Sequence, residues 1–494
     1  MNPQFFKYLL ISIFTISLFF ANNTQVQAEN TKFSSEQQIQ TQHKSAEIVS
    51  HGKDSKEPAI WSIIPFALLL LMIATGPLFY AHFWHKRYPI IAVVLATIVA
   101  VYYLFYLQDY HHPIHSLAEY LSFITLIAAL FVASGGILIK VDRKATPMAN
   151  VALFVFGAII ANIIGTTGAS MLLIRPFIRL NKERIKPYHI VFFIFIVSNV
   201  GGSLTPIGDP PLFLGFLKGV PFFWTFSHLL LKWAFGISLL CLIFFVIDSR
   251  NKLKDNIDDT AQYSGKISMQ GGKNLIWLAI TIAAVFLDPN VIDWVPAITY
   301  HGDKFSFLRE LIMLGCAVGA YVFADKNSLR ENEFDFEPIK EVAFIFIGIF
   351  ATMMPALQLI KAFAQNSPEL ITTNTLYWLT GGLSGVLDNA PTYLNFLAAG
   401  MGKEGLDIAS KVDVLNYAQG SGTMIELIAI SCAAVFFGAM TYIGNAPNFM
   451  VKSIAEQIGI DMPSFMGYIL RYSIPFLLPV LFLTWLVFFS GFVL

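Results

Sequence analysis

From residue 61 to the C-terminus the chain passes again and again through apolar stretches of about 20 residues, each closed by a short polar loop. Backbone buried in hydrocarbon has no water to bond, so it must satisfy its own N–H and C=O groups, and a helix does so within one segment. Composition agrees: 56% of the residues are hydrophobic and 13% charged, against about 25% charged in ordinary globular chains. The expected fold class is therefore an all-α polytopic membrane protein in a lipid bilayer. The formal net charge is zero and no basic tract carries interleaved aromatics, so nucleic acid is not an expected partner. Cys241, Cys316 and Cys432 stand in apolar runs without metal-ligand spacing, which makes them small core residues. No cofactor is expected.

Residues 1–28 have the layout of a signal peptide: one Lys, a short apolar run and a small-residue site at Ala28. Residues 29–60 are polar and aperiodic and read as a disordered tail outside the membrane. Lys and Arg accumulate on the cytoplasmic side of membrane proteins. From an external N-terminus the loops alternate as that rule requires, with "HKR" (85–87) inside, "QDYHHPIH" (108–115) outside and "KVDRK" (140–144) inside. Spans are predicted at 61–81, 88–107 and 116–139, which leaves His111, His112 and His115 in an outer loop. The expected location is the inner membrane, with both termini on the periplasmic side.

Residues 149–180 are flanked by Lys and Arg at both ends. Each arm of about 15 residues reaches only about 22 Å into a core about 30 Å thick, so the segment reads as a re-entrant hairpin with its tip at "NIIGTTGAS". Residues 373–400 read as a second hairpin, entering from outside. With further spans at 274–287, 307–324 and 341–360, and others broken in the middle, the prediction is about ten transmembrane helices plus two re-entrant hairpins. The first half covers 61–247, a cytoplasmic linker 248–273, and the second half 274–494.

Two spans contain breakers. "GSLTPIGDPP" begins at Gly202 and "GAMTYIGNAP" at Gly438, 236 residues apart (438 − 202), with the shared pattern G-x-x-T-x-I-G-[DN]-[PA]-P. Two copies in opposite orientation make an inverted-topology repeat with broken helices, an architecture that holds substrate and coupling ions near the bilayer midplane. Broken backbone at that depth is tolerated where it is buried in protein or lines a wet cavity.

The motifs "SNVGGSLTPIGDPP" and "TYIGNAPN", with the tip "LSGVLDNAPT", resemble the ion transporter superfamily, and within it the sodium-proton antiporter, citrate transporter-like branch. The resemblance implies a scaffold part, a transport part and a homodimer.

Asp209 and Asp388 are the carboxylates this topology places deepest, and an intramembrane carboxylate marks a functional site because its burial is costly. Around them stand neutral oxygen donors suited to a hard cation such as Na⁺. These are Asn162, Thr166, Thr167 and Ser170 at the first tip, and Asn389 and Thr392 at the second. Asn199, Ser203, Thr205, Thr441, Asn445 and Asn448 flank the breaks. No cation is expected to be buried in this core.

This set fits Na⁺/H⁺ antiport, in which ion and proton claim the same carboxylate in turn. Citrate or dicarboxylate transport coupled to Na⁺ or a metal ion is the alternative, and arsenite efflux a lesser one. An intramembrane aspartyl protease built on Asp209 and Asp388 lacks the G-x-G-D signature. The expected partners are thus inorganic cations and protons, or small carboxylates, and no enzymatic activity is expected.

Overall fold

The computed structural model describes residues 57–141, 145–251, 267–289, 292, 294–300 and 303–491. The expected signal peptide, nearly all of the outer tail and residues 252–266 of the linker lie outside them. The described chain is helical almost throughout, and the protein is an all-α polytopic membrane protein. Among the described residues, nine helices are long and apolar enough to cross a membrane.

In chain order the helices are α1 (Ile64–Phe79), α2 (Ala81–Val101), α3 (His111–Gly135), α4 (Pro147–Leu180), α5 (Pro187–Ile196), α6 (Pro210–Lys218) and α7 (Trp224–Ser249). After the linker come α8 (Asn274–Val285), α9 (Leu308–Val322), α10 (Lys326–Glu331), α11 (Glu337–Asn366), α12 (Thr373–Ser384), α13 (Asn389–Lys403), α14 (Lys411–Gln419), α15 (Thr423–Phe437) and α16 (Ala446–Gln457). The last crossing, Phe465–Phe488, carries a π-helical stretch at Ile469–Leu477. Every predicted span holds a helix, but α8 and α9 have only 12 and 15 residues and reach about 18 and 22 Å at about 1.5 Å per residue.

The 34 residues of α4 are not one straight rod. Straight, they would hold residues 150 and 181 about 46 Å apart. Instead Asn150 and Asn181 exchange amide hydrogen bonds of 2.9 and 2.7 Å, and the Phe154 and Phe177 rings lie 5.0 Å apart. The chain reverses at Gly165 (φ 79°, ψ 156°), in a region that a Cβ would make costly. The hairpin expected at "NIIGTTGAS" is present. Its counterpart is α12 and α13, packed against each other and joined by the short turn 385–388.

Two expectations are corrected here. The third crossing starts at His111 rather than 116, so His111, His112 and His115 lie on the helix and not in a loop. The cause is Asp109, whose carboxylate accepts the amides of His111 and His112 and completes a helix start that no Ser or Thr announces. After Gly135 the chain leaves as strand β1 (Leu138–Val141), which pairs antiparallel with β2 (Ile267–Gln270) at the end of the linker. A second small ribbon joins β3 (Ile298–Tyr300) to β4 (Asp303–Phe305).

The core is built on the helices that lead into the two breaks. In α5 every residue from His189 to Ile196 is buried, and in α15 every residue from Glu426 to Phe437. By contrast α1 and α2 turn Leu71, Phe79 and Val94 outward. An apolar face of that kind suits lipid, since nothing then has to be removed from water. The breakers thus fall at the centre of the protein, where polar backbone is enclosed by protein.

Candidate functional site

The two breaks have one geometry. After α5 the chain makes a 3-10 turn (Val200–Leu204), extends at Thr205 (φ −137°, ψ 155°), turns, and extends again at Asp209 (φ −142°, ψ 143°) before α6. After α15 it makes a 3-10 turn (Gly438–Met440), extends at Thr441 (φ −140°, ψ 172°) and again at Asn445 (φ −152°, ψ 141°) before α16. Both restarting helices have a proline in the first turn, where its missing N–H costs nothing.

The repeated glycines have a steric reason. A Cβ on Gly208 would lie 2.0 Å from the Gly202 carbonyl oxygen, and one on Gly444 would lie 2.5 Å from that of Gly438. The repeated threonines accept backbone amides: Gly208 N–H donates to Thr205 Oγ1 and Gly444 N–H to Thr441 Oγ1, each at 3.2 Å. Each break is met by one hairpin tip, with Thr166 N–H bonded to the Gly208 carbonyl (2.8 Å) and Asn389 N–H to that of Gly444 (3.2 Å).

Asp209 stands where these elements converge and is 1% exposed. Its Oδ1 accepts from Thr166 Oγ1 (2.8 Å) at the first tip and from Asn445 Nδ2 (2.8 Å) in the second break. Its Oδ2 accepts from Asn389 Nδ2 (2.7 Å) at the second tip. Three neutral donors from three separate elements therefore hold one carboxylate. Asn389 Oδ1 is buried and has no hydrogen-bond partner, so this amide can turn and offer its oxygen to the same place.

The other predicted residues fall into shells around this point. Asn445 also donates to the Ser198 carbonyl and to Asn199 Oδ1. Asn199 donates to Asn448 Oδ1, and Asn448 donates to the carbonyls of Gly438 and Thr441. Asn162 joins the first tip to the first break, donating to the Gly201 carbonyl and accepting from Leu204 N–H. Thr205 Oγ1 donates to the Asn162 carbonyl. Ser170 shares a hydrogen bond with Ser198, a residue the sequence did not single out. Ser203 and Thr392 only return their hydroxyls to the carbonyls of Val200 and Asp388 on their own turns. Thr167 and Thr166 line a cavity of about 30 Å³ that reaches Asp209 past Pro206 and Leu130.

Asp388 is placed differently. It is only partly buried, and its Oδ1 caps α13 by accepting Ala390 N–H (2.9 Å). None of the hydrogen bonds described links its carboxylate to Asp209.

The expectation of a core without buried cations is corrected. Arg184, Arg309 and Lys218 are buried, each on its own carboxylate: Asp248 (2.8 Å), Glu310 (2.8 Å) and Glu119 (2.8 Å). Arg175, also buried, bonds Glu333 (3.0 Å). None of these cations bonds Asp209. Of these acidic residues, Glu119 is visible in the sequence inside the predicted span 116–139, whereas its pairing with Lys218 depends on how the helices pack. Among the described residues no group of three or more His, Cys, Asp or Glu could hold a metal ion. Oxygen ligands at Asp209 would come from one carboxylate with Asn and Thr, donors of the kind that hard cations take.

A family described as "Putative citrate transport" matches residues 55–489 of the chain. No curated protein matches it.

Proposed function

The chain belongs to the "Putative citrate transport" family, and we propose that it is a secondary active transporter that exchanges a monovalent cation, Na⁺ first among them, for protons at Asp209. The observation that carries this reading is the carboxylate itself: wholly buried, held by three neutral donors, and bonded to no cationic side chain. A buried carboxylate without a counter-ion is costly, so a proton or a small cation is bound there for most of the cycle. Each neutralises the same charge, so each excludes the other.

The neighbours suit both states. With a cation bound, the carboxylate, Thr166 Oγ1 and a turned Asn389 supply oxygens; with a proton bound, Asn389 Oδ1 accepts it. Both tips bond the breaks through backbone atoms, so a change at Asp209 is felt by two hairpins at once. The matching breaks support an inverted repeat of two halves, and the loop charges support an inner-membrane orientation with both termini outside. A homodimer rests on the resemblance to the ion transporter superfamily.

The family description favours a second reading, in which citrate or another small carboxylate is the cargo and the ion on Asp209 is its coupling partner. Proteoliposomes holding an internal pH dye separate the two. The first reading expects Na⁺ or Li⁺ to collapse an imposed ΔpH without any carboxylate, and Asp209→Asn to abolish the effect. Accumulation of labelled citrate that requires Na⁺, with no cation response in its absence, would replace it by the second.

A further inference from the structure

The cavity that reaches Asp209 has a neighbour on the same two helices. A second cavity, about 80 Å³ in volume, lies further along the groove between α3 and α6. On α3 the outer cavity is lined by His115, Ala118, Glu119 and Ser122, and the inner one by Leu126 and Leu130. At about 100° per residue, His115, Glu119, Ser122, Leu126 and Leu130 fall within about 80° of one another around the helix. Both cavities therefore follow one stripe of α3. Helix α6 repeats the order: Leu217 lines the outer cavity and Phe213 the inner one, where Asp209 stands at the head of the helix.

The gap between the cavities is the same on both helices. Ser122 and Leu126 are four residues apart, as are Leu217 and Phe213, which is about 6 Å along either axis. Apolar side chains fill that turn. Phe213 and Leu126 are each 2% exposed, and the Phe213 ring lies 6.4 Å from that of Phe123, which stacks on Phe346 of α11 at 4.5 Å. On the outer side of this plug the stripe carries Ser122, Glu119 and His115; on the inner side the cavity presents Thr166, Thr167 and Asp209. The basic groups on the far wall of the outer cavity have acceptors of their own: Glu310 for Arg309, Asp288 for Lys411 and the Pro289 carbonyl for Lys304. At about 10–15 Å³ per water, the outer cavity has room for several waters and the inner one, of about 30 Å³, for about two. A cation in the inner cavity has shed most of its hydration shell, which the oxygens around Asp209 replace.

We infer that the groove between α3 and α6 is the passage by which cation and proton reach Asp209, closed in this structure by one apolar turn with Phe213 as its gate. Resting on Asp209 as the exchange site, this adds the path to that site and the residue that controls it. The mouth lies on the side where α6 ends, which the orientation proposed above puts outside. An apolar constriction is a barrier to charge, so movement of the Phe213 ring admits or excludes the ion.

The test is the rate at which a small, membrane-impermeant cationic thiol reagent modifies single introduced cysteines, read by intact mass on the full-length chain in proteoliposomes. The native Cys241, Cys316 and Cys432 are buried, and the parent chain gives their background. Ala118→Cys reports the outer cavity and Leu130→Cys the inner one. Ala129→Cys, at a buried position of α3 outside both linings, reports loosening of the helix. The inference expects rapid modification of Ala118→Cys and slow modification of Leu130→Cys. Phe213→Ala should speed the latter about tenfold or more, and Phe213→Leu, the milder variant, about threefold or more, with Ala118→Cys and Ala129→Cys unchanged. Na⁺ should slow modification of Leu130→Cys, and not when Asp209→Asn is added. Three results would overturn the inference: Leu130→Cys modified as fast as Ala118→Cys with Phe213 in place; Leu130→Cys indifferent to both Phe213 variants; or Ala129→Cys rising in step with Leu130→Cys. Modification that follows Phe213 but ignores Na⁺ leaves the passage standing and refutes cation binding at Asp209.

Discussion

Replacing Asp209 by Asn separates the electrical role of the carboxylate from its structural one. The parent side chain accepts three hydrogen bonds, two on Oδ1 and one on Oδ2. An amide of the same shape keeps its oxygen toward Thr166 and Asn445 and turns its NH₂ toward Asn389. The clash of donors that results is relieved if Asn389 turns, because its own Oδ1 has no partner to lose. Bonds to a charged acceptor are worth about 1.5–3 kcal/mol and neutral ones about 1 kcal/mol, so the three together lose about 1.5–6 kcal/mol. Against this, burying a carboxylate costs several kcal/mol that the amide does not incur. The terms nearly cancel, and the folded state of Asp209→Asn should stay within about 2 kcal/mol of the parent, a shift of a few degrees in melting temperature. Cation-driven ΔpH collapse should fall to background, since the site then has no group that takes up a proton. Asn389→Ala is the converse, leaving Asp209 Oδ2 unpaired at a cost of about 1–3 kcal/mol. The assays are melting in detergent by intrinsic fluorescence and dye quenching in proteoliposomes. An Asp209→Asn protein that exchanges cations for protons at more than half the parent rate would refute the argument.

Three further outcomes follow from the geometry. Gly208→Ala and Gly444→Ala place a methyl against backbone oxygens at 2.0 and 2.5 Å, so both should abolish transport and lower yield, whereas Gly315→Ala on α9, with open space around it, should be neutral or stabilise by about 0.5–1 kcal/mol; equal transport and yield in all three would show that the breaks tolerate side chains. Asp388→Asn should keep transport within about threefold of the parent, because Asn caps a helix as well as Asp does, while Asp388→Ala should cost about 1 kcal/mol; abolished exchange in the Asn variant would make Asp388 a second coupling carboxylate. Asp248→Ala strands the buried Arg184, which makes bonds of 2.9 and 2.8 Å to that carboxylate, and should lower stability by about 3–5 kcal/mol as read by melting temperature and detergent-resistant yield; an unchanged melting temperature would mean that this junction at the base of the first hairpin is not structural.

The breaks were readable because they are backbone features. Where Gly202 and Gly208 nearly touch, only glycine fits, and where Thr205 and Thr441 receive an amide, a short hydroxyl is needed, so the pattern survives as letters. The first hairpin was readable from its length and the positive charge at both ends. What depends on helix phase was not readable. Glu119 and Lys218 lie 99 residues apart (218 − 119), and their pairing requires that α3 and α6 present those two faces to each other. The same limit separates Asp388 from Asn389: the first is the extended cap residue and the second opens the helix, so one bonds its own helix start while the other reaches Asp209.

The difference between the breaks also has a physical reason that the repeat alone does not supply. Asp209 and Asn445 hold the same position in the shared pattern, and they bond each other at 2.8 Å. Residues at matching positions of two segments can touch only where the segments meet. Two carboxylates at that crossing would repel, and both could not be ionised in so enclosed a place. One acid and one amide resolve this, because the amide donates to the acid and leaves a single charge for an ion or a proton to claim. The departure of the second motif from the first, Asn for Asp, is thus what turns a symmetric crossing of two breaks into a site with one ionisable group.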